Sequence, residues 1–421
     1  MTKIEHLNNS EHENDDDTTD PKIQSKSSTS ILSRTTISNL KPSKHQAAGH
    51  DGCLTSDSIF IKPTIKQELD FYNYINGIDQ ISESKNEDIY LGSLLSHWMP
   101  KFYGNLQEGK ISNTEINPTA SFLNLDTNST ESFAKKDSKD YIVLQNLYHG
   151  FKKPNIMDIK LGSKLTDDSK TPPEKIERLA KVSKNTTSGS HSFRICGMKV
   201  YNQNQSQTFS EEEIFDGMLN TVQLVSLEEE NNNSTQETYF QFNKFFGRSL
   251  NSTNIENGIN LFFKLSHFKP NQIRHLIEIY LKRLQLIYNC LLDYDVRMYS
   301  SSLLFIYEGD SSVWNEDKYE DYDSSDPIVK DFELSDDDEE DSVEKVDDLE
   351  QAVLNDYKVI KSMSDESSGT NDTKNSSPLS SLHLIDFAHS KPTPKEGYDE
   401  NVIKGIENLI DIFSNIQKQY I

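Results

Sequence analysis

Two charges stand isolated in an apolar run. Asp158 and Lys160 lie two positions apart within Pro154-Asn-Ile-Met-Asp158-Ile-Lys160-Leu-Gly162. In a strand or extended turn that spacing puts both on one face. Flanked by Ile156, Met157, Ile159 and Leu161, they sit where a backbone emerges from a core. One reading is a surface ion pair at a strand end; the other is an acid and a base that address a ligand. Upstream, Lys62 in Ser58-Ile-Phe-Ile-Lys62-Pro63 is followed by Glu68 in a helical run. A strand lysine that neutralises phosphates and a helix glutamate that orients it make a phosphate-holding pair; the alternative is a solvated lysine on an edge strand. Lys175, Arg178 and Lys181, with Lys184 beyond them, form a basic stripe at helical spacing. Such a stripe is either an ordinary solvated face or a grip for a polyphosphate, which needs several flexible cations. Asp386, before Phe387, closes an apolar run and has the oxygen chemistry that ligates magnesium. His389, three residues on, is either a core histidine or a ligand contact.

These residues need elements to carry them. Ser58–Pro63 alternates like a strand that ends at a proline, and Ile65, Leu69, Tyr72 and Ile75 then share a helical face. Trp98 to Gly104 reads as a strand entry, 105–138 as a polar loop, and Tyr141 to Leu147 as a buried strand leading to a connector. Pro173 suits the first turn of a helix, with Thr171 near its cap. Arg194 to Tyr201 reads as a core strand. Ile273, Leu276, Ile277, Tyr280, Leu281, Leu284, Ile287 and Leu291 predict one long amphipathic helix; Val402, Ile406, Leu409, Ile410 and Phe413 predict a closing one.

The first stretch resembles the PxxxDxKxG signature of the inositol polyphosphate kinases. Further blocks of that family are Phe193-Arg194-Ile195-Cys196-Gly197-Met198-Lys199-Val200-Tyr201, Phe242 to Leu250, Ser301-Ser302-Leu303-Leu304 and Ile385-Asp386-Phe387. The resemblance spans roughly 47–312 and 380–418, nearest to the fungal multikinase branch. It implies an α+β, two-lobed kinase-like fold with an antiparallel sheet in each lobe and ATP in the cleft. It assigns ATP to Lys62, Glu68, Asp158 (ribose hydroxyls) and the backbone of Gln145 and Leu147, although most relatives carry an acidic pair where Gln145-Asn146 stands. It makes Asp386 the Mg2+ ligand and Lys160 the residue facing the transferring phosphoryl group and the substrate. The inositol phosphates fall to Lys175, to Lys181 or Lys184, to Lys244 and to His389; Gly247 and Arg248 are read as structural. The Ser-Ser-Leu-Leu block is expected to pack behind the nucleotide. Only about one helix fits between Gly162 and Gly197. The trisphosphate 3-kinase branch has a large helical insertion there, so a multikinase is favoured, with the hexakisphosphate kinases as competitor.

Composition bounds the rest. The 421 residues are 34% hydrophobic and carry a formal charge of -25. From Glu316 to Glu350 there are 18 acidic residues against 3 lysines, so much of the charge is local and a basic pocket elsewhere is compatible with it. Broad nucleic-acid binding is not expected. Cys53, Cys196 and Cys290 lack metal spacing and read as reduced thiols. No apolar run reaches transmembrane length, and the N-terminus does not read as a signal peptide. Residues 1–46 read as a disordered tail, 47–147 as a small lobe and 148–418 as a large lobe, with a substrate-binding helix near 173–184 and a disordered acidic insertion over 313–380. The insertion is either solubilising or a docking arm for basic partners; relatives with acidic tracts are associated with transcription-factor complexes. Ser335, ahead of an acidic run, reads as a modification site for an acidophilic kinase.

The combined expectation is an ATP- and Mg2+-dependent multikinase converting inositol trisphosphate to tetrakis- and pentakisphosphate, monomeric, in nucleus and cytoplasm. The alternatives are a pyrophosphate-forming hexakisphosphate kinase and a kinase-fold scaffold. The presence of Lys62, Asp158, Lys160 and Asp386 favours an active enzyme, and the absence of a His-Arg-Asp loop disfavours a protein kinase.

Overall fold

A strand buried on both faces reads as a near-continuous apolar run. Pro154–Leu161 has that character, broken only by Asn155, Asp158 and Lys160. In the computed structural model it is an inner strand, and Lys160 is its one residue that is not buried. The structure describes residues 40–43, 52–85, 89–107, 140–203, 219–227, 237–266, 268–314 and 379–420.

The first sheet is built by β1 (Lys41–Pro42), β2 (Leu54–Thr55), β3 (Ile59–Thr64), β4 (Phe102–Gln107) and β5 (Asp140–Gln145), in the order β1-β2-β3-β5-β4. Between β3 and β4 lie α1 (Lys66–Lys85) and α2 (Leu95–Trp98). The chain continues through β6 (Pro154–Leu161), α3 (Pro173–Lys184), α4 (Thr187–His191), β7 (Phe193–Tyr201), β8 (Val222–Leu227) and β9 (Glu237–Phe242). It then runs through α5 (Lys244–Ser249), α6 (Ile255–Lys264), α7 (Pro270–Leu292), β10 (Val296–Met298), β11 (Ser302–Glu308), β12 (Ser380–Ile385), β13 (Ser390–Pro392) and α8 (Glu400–Gln417). The second sheet has the order β12-β11-β6-β7-β9-β8, and β10 pairs with β13 apart from it. All the pairings are antiparallel.

The fold is thus α+β with a sheet in each lobe, and the sheets divide near residue 147. The core does not divide there. Phe71, Tyr72, Ile75, Leu95 and Trp98 share one buried cluster with the apolar faces of α7 and α8. Phe71 stacks on Phe387 at 5.1 Å between centroids, and Tyr72 meets the same ring edge-on at 5.4 Å. The small-lobe helix therefore packs directly on the residue after Asp386. The two long helices bury the periodic positions expected of them, with Ile410 only partly covered.

Three local readings are corrected. Among the described residues the first strand is β1, upstream of the boundary expected at residue 46; a two-residue strand of exposed Lys and Pro pairs through backbone alone and has no apolar pattern. Trp98 ends the short α2 instead of opening a strand. Pro173 opens α3 as expected, and its cap is Pro172, next to Thr171 and without a side-chain hydrogen bond. The segment between Gly162 and Gly197 holds a second helix, α4, whose five residues Thr-Ser-Gly-Ser-His are too few to show a period. β11 and β12 pair as neighbours from Ser302↔Ile385 to Tyr307↔Ser380, on either side of the acidic segment. That segment with Ser335, the tail through residue 39, the glycine turn near Gly49 and most of the 105–138 loop lie outside the described residues. Among the described residues no helix is long and apolar enough to cross a membrane, and the three cysteines are free thiols.

Candidate active site

A cleft with about 660 Å³ of empty space, part of it open to solvent, lies between the sheets. Leu144, Leu147, Leu304 and Ile385 make its walls apolar; Lys62 and Asp386 make one end polar. The connector after β5 is held from behind. The Asn146 side chain donates to Ser56 O and Asp57 O at 3.2 and 2.9 Å and accepts from Tyr148 N at 3.2 Å. Asn146 is therefore a staple, which explains how the chain does without an acidic pair here. Among the described residues the Leu147 N–H has no hydrogen-bond acceptor. A lone backbone donor on an apolar slot suits the edge of a planar heterocycle. Leu304 brings the Ser-Ser-Leu-Leu block to the wall of the same slot.

At the polar end, Lys62 on β3 bridges Glu68 Oε1 at 2.8 Å and Asp386 Oδ1 at 3.0 Å. Glu68, on the first turn of α1, also accepts from Thr64 Oγ1 at 2.7 Å and from the Phe387 N–H at 3.2 Å. One buried carboxylate thus ties β3, α1 and the segment after β12 together. Burial alone would lower the Lys62 pKa; the charges of Asp386 and Glu68 outweigh it and hold the ammonium protonated. Asp386 has φ of 64°, a left-handed backbone that is sparsely populated by non-glycine residues and concentrates at functional sites. Its side chain is about a quarter exposed (28%), so the carboxylate faces the cleft. Among the described residues no three metal-ligating side chains cluster. One accessible carboxylate beside a buried lysine fits a hard divalent ion that takes most of its oxygens from a ligand and water.

The ion-pair reading of the central stretch does not hold. No salt bridge joins Asp158 to Lys160; Lys160 Nζ donates instead to Ser300 O at 2.5 Å. Ser300 has φ of 60°, so its carbonyl is turned to the lysine by another left-handed residue. Asp158 is 3% exposed, and its Oδ1 has no hydrogen-bond partner. Burial pushes its carboxyl up to about 6; the Lys160 charge opposes this and the Asp386 charge adds to it. An orphaned buried acceptor of this kind is a vacancy for hydroxyl donors.

This yields a pH-dependent prediction. The folded-state pKa lies above the unfolded one, so the protonated acid favours the folded chain and that benefit is lost as pH rises from about 4 through 6. The charged form then carries on the order of 3 kcal/mol of destabilisation. Asp158→Asn is expected to melt higher than the parent at pH 8 and to converge with it near pH 4.5. Equal shifts at both pH values in a thermal melt would contradict the assignment.

Lys160, Lys175 and His389 form one electrostatic group. The His389 pKa is lowered by burial first, then by the Lys175 and Lys160 charges. α3 carries Lys175, half-buried, and exposes Arg178, Lys181 and Lys184. None of these four has an ion-pair partner among the described residues, so the stripe is uncompensated. Lys181 and Lys184 are both exposed in the last turn, and the geometry does not choose between them. Lys244 opens α5, exposed, 5.6 Å over the Phe245 ring, and no hydrogen bond or ion pair joins it to Lys160, Lys175 or His389. Gly247 is structural: a Cβ there would stand 1.8 Å from Ile195 O.

Sequence reasoning missed several groups. Gln67 donates to Ser390 O at 2.9 Å and accepts from Lys170 Nζ at 3.1 Å, linking α1 to the substrate side. Asn401 on α8 accepts from Ser163 N and Lys164 N at 2.8 and 2.9 Å, clamping the turn at Gly162. Arg194, taken only as part of a core strand, pairs in register with Lys160; the visible signal was a lone arginine in Phe193–Tyr201.

A family model for inositol polyphosphate kinase matches residues 141–414. The inositol polyphosphate multikinase of Saccharomyces cerevisiae is 41% identical over 388 residues, covering 90% of this chain and 99% of that relative. The Schizosaccharomyces pombe multikinase is 29% identical over 381 residues, covering 90% and 98%. The crystal structure of inositol phosphate multikinase Ipk2 from S. cerevisiae, in complex with ADP and Mn2+, superposes with a TM-score of 0.50 at 36% identity, covering 85% of this chain and 98% of that one.

Proposed function

The chain belongs to the inositol polyphosphate kinase family, and on that premise we propose that it is an ATP-dependent multikinase that phosphorylates inositol trisphosphate to tetrakis- and pentakisphosphate. The observation that carries the reading is the Lys62–Glu68–Asp386 junction at the polar end of an apolar cleft, with Lys160, Lys175 and His389 beside it. Phosphoryl transfer to an alcohol needs in-line positioning and charge neutralisation more than covalent chemistry. The apolar slot would take adenine, with the Leu147 N–H and the Gln145 carbonyl at its edge. Asp158 would accept from the ribose hydroxyls, and Lys62 would hold the nucleotide phosphates. Asp386 would hold Mg2+, which when bound neutralises charge between the terminal phosphates; the Mn2+ of the yeast complex supports divalent-metal use in general. Lys160 would face the transferring group. Lys175, one of Lys181 and Lys184, Lys244 and a neutral His389 would grip the ring phosphates, each long lysine adapting to more than one phosphate position. That adaptability suits successive transfers to one ring.

The test is Mg-ATP turnover on an inositol trisphosphate with the products separated. The parent is expected to form tetrakis- and then pentakisphosphate, and Lys160→Ala to lose about a hundredfold in kcat/KM. Turnover confined to pentakis- or hexakisphosphate would move the chain to the pyrophosphate-forming branch. Nucleotide binding without transfer to any inositol phosphate would overturn the enzyme reading.

A further inference from the structure

Asp158 and Lys160 share one face of β6, carry opposite charges, and are close enough for a lysine to fold back onto the carboxylate. They do not pair. Directly opposite Lys160 across the β6–β7 ladder is Arg194, and side chains opposite one another in a sheet interact, like charges repelling. Arg194 is 6% exposed and has no carboxylate within ion-pair distance among the described residues. Its Nη1 donates to Ser188 Oγ at 3.1 Å, which fixes the guanidinium from the α4 side. A bulge between Ile195 and Gly197 leaves Cys196 unopposed and puts Gly197, which has no side chain, across from Asp158. Arg194 lies near enough to Asp158 to favour its charged form without contacting it.

We propose that Arg194 is a positioning residue that keeps Lys160 and Asp158 from pairing with each other, leaving the one free for a phosphoryl group and the other for the nucleotide. The buried guanidinium across the ladder repels the ammonium, and Ser300 O, at 2.5 Å, receives it. A buried cation without a counter-ion is costly, and packing alone would be served by leucine. Remove the charge and Lys160 folds onto Asp158, so that both are withdrawn from the site. This deepens the function proposed above and rests on its roles for Asp158 and Lys160.

The test separates charge from anchoring. Arg194→Gln keeps a donor for Ser188 without the charge; Arg194→Lys keeps the charge. Affinity for Mg-ADP and kcat on inositol trisphosphate are measured for both, alone and with Asp158→Asn. Arg194→Gln is expected to lower both by about tenfold, and Arg194→Lys to recover most of the loss. In the Asp158→Asn background Arg194→Gln should cost less than about twofold more, because the competing carboxylate is gone. Equal losses in the two backgrounds would overturn the proposal, as would a lysine variant no better than the glutamine one, or a glutamine variant with parental values. If the parent transfers phosphate to no inositol phosphate, the function proposed above fails, while the cycle in Mg-ADP affinity still decides the role of Arg194.

Discussion

Asp386→Asn is expected to abolish transfer, lowering kcat by on the order of a thousandfold, about 4 kcal/mol of transition-state stabilisation. The substitution changes one atom and leaves the backbone comfortable, since asparagine is among the few residues that tolerate φ near 64°. Lys62 keeps Glu68 as partner at 2.8 Å. The packing of Phe387 against Phe71 and Tyr72 is untouched. What disappears is the carboxylate that, among the described residues, faces the cleft at its polar end. The melting temperature should therefore stay near the parental value while turnover collapses. A variant within tenfold of the parent at saturating nucleotide would mean that the metal is held elsewhere.

Lys62→Met is expected to damage both activity and stability. Lys62 is 9% exposed between two acids, one of which, Glu68, is 1% exposed. On the role proposed for Lys62, removing the cation is expected to cost about a hundredfold in kcat/KM for ATP. It also leaves Glu68 as a buried anion without its ion-pair partner, which costs about 3 kcal/mol, although Thr64 Oγ1 and the Phe387 N–H still donate to it. The double variant Lys62→Met with Glu68→Gln should regain most of the stability and none of the turnover. Chemical denaturation alongside kinetics reads both. If the double variant stayed as unstable as the single one, the pair would not be the stabilising unit inferred here.

Much of this was legible in the chain because the informative residues break a pattern. Lys62, Asp158, Lys160 and Asp386 are charges inside apolar runs, and burying such runs forces the charges onto one another or onto a ligand. The long helices α7 and α8 follow from apolar periodicity, which packing alone enforces. What escaped is relational. The pairing of Lys160 with Arg194 depends on register and a bulge, and neither is written in either strand alone. The carbonyl of Ser300 matters through a backbone angle that its residue type does not announce. β1 exists only because β2 lies beside it.

The pairing of β12 with β11 bears on when the molecule becomes competent. Lys62 and Asp386 touch across a sequence separation of 324 residues, and Asn401 clamps the turn at Gly162 from 237 and 238 residues away. Contacts of such range slow folding, because their ordering cost falls due before they are rewarded. Most of the second sheet can form from residues already made by Glu308, yet the strand that delivers Asp386 and the helix that fixes the Gly162 turn are made later. A nascent chain can thus hold a nearly complete cleft, lysine included, and still lack its acid.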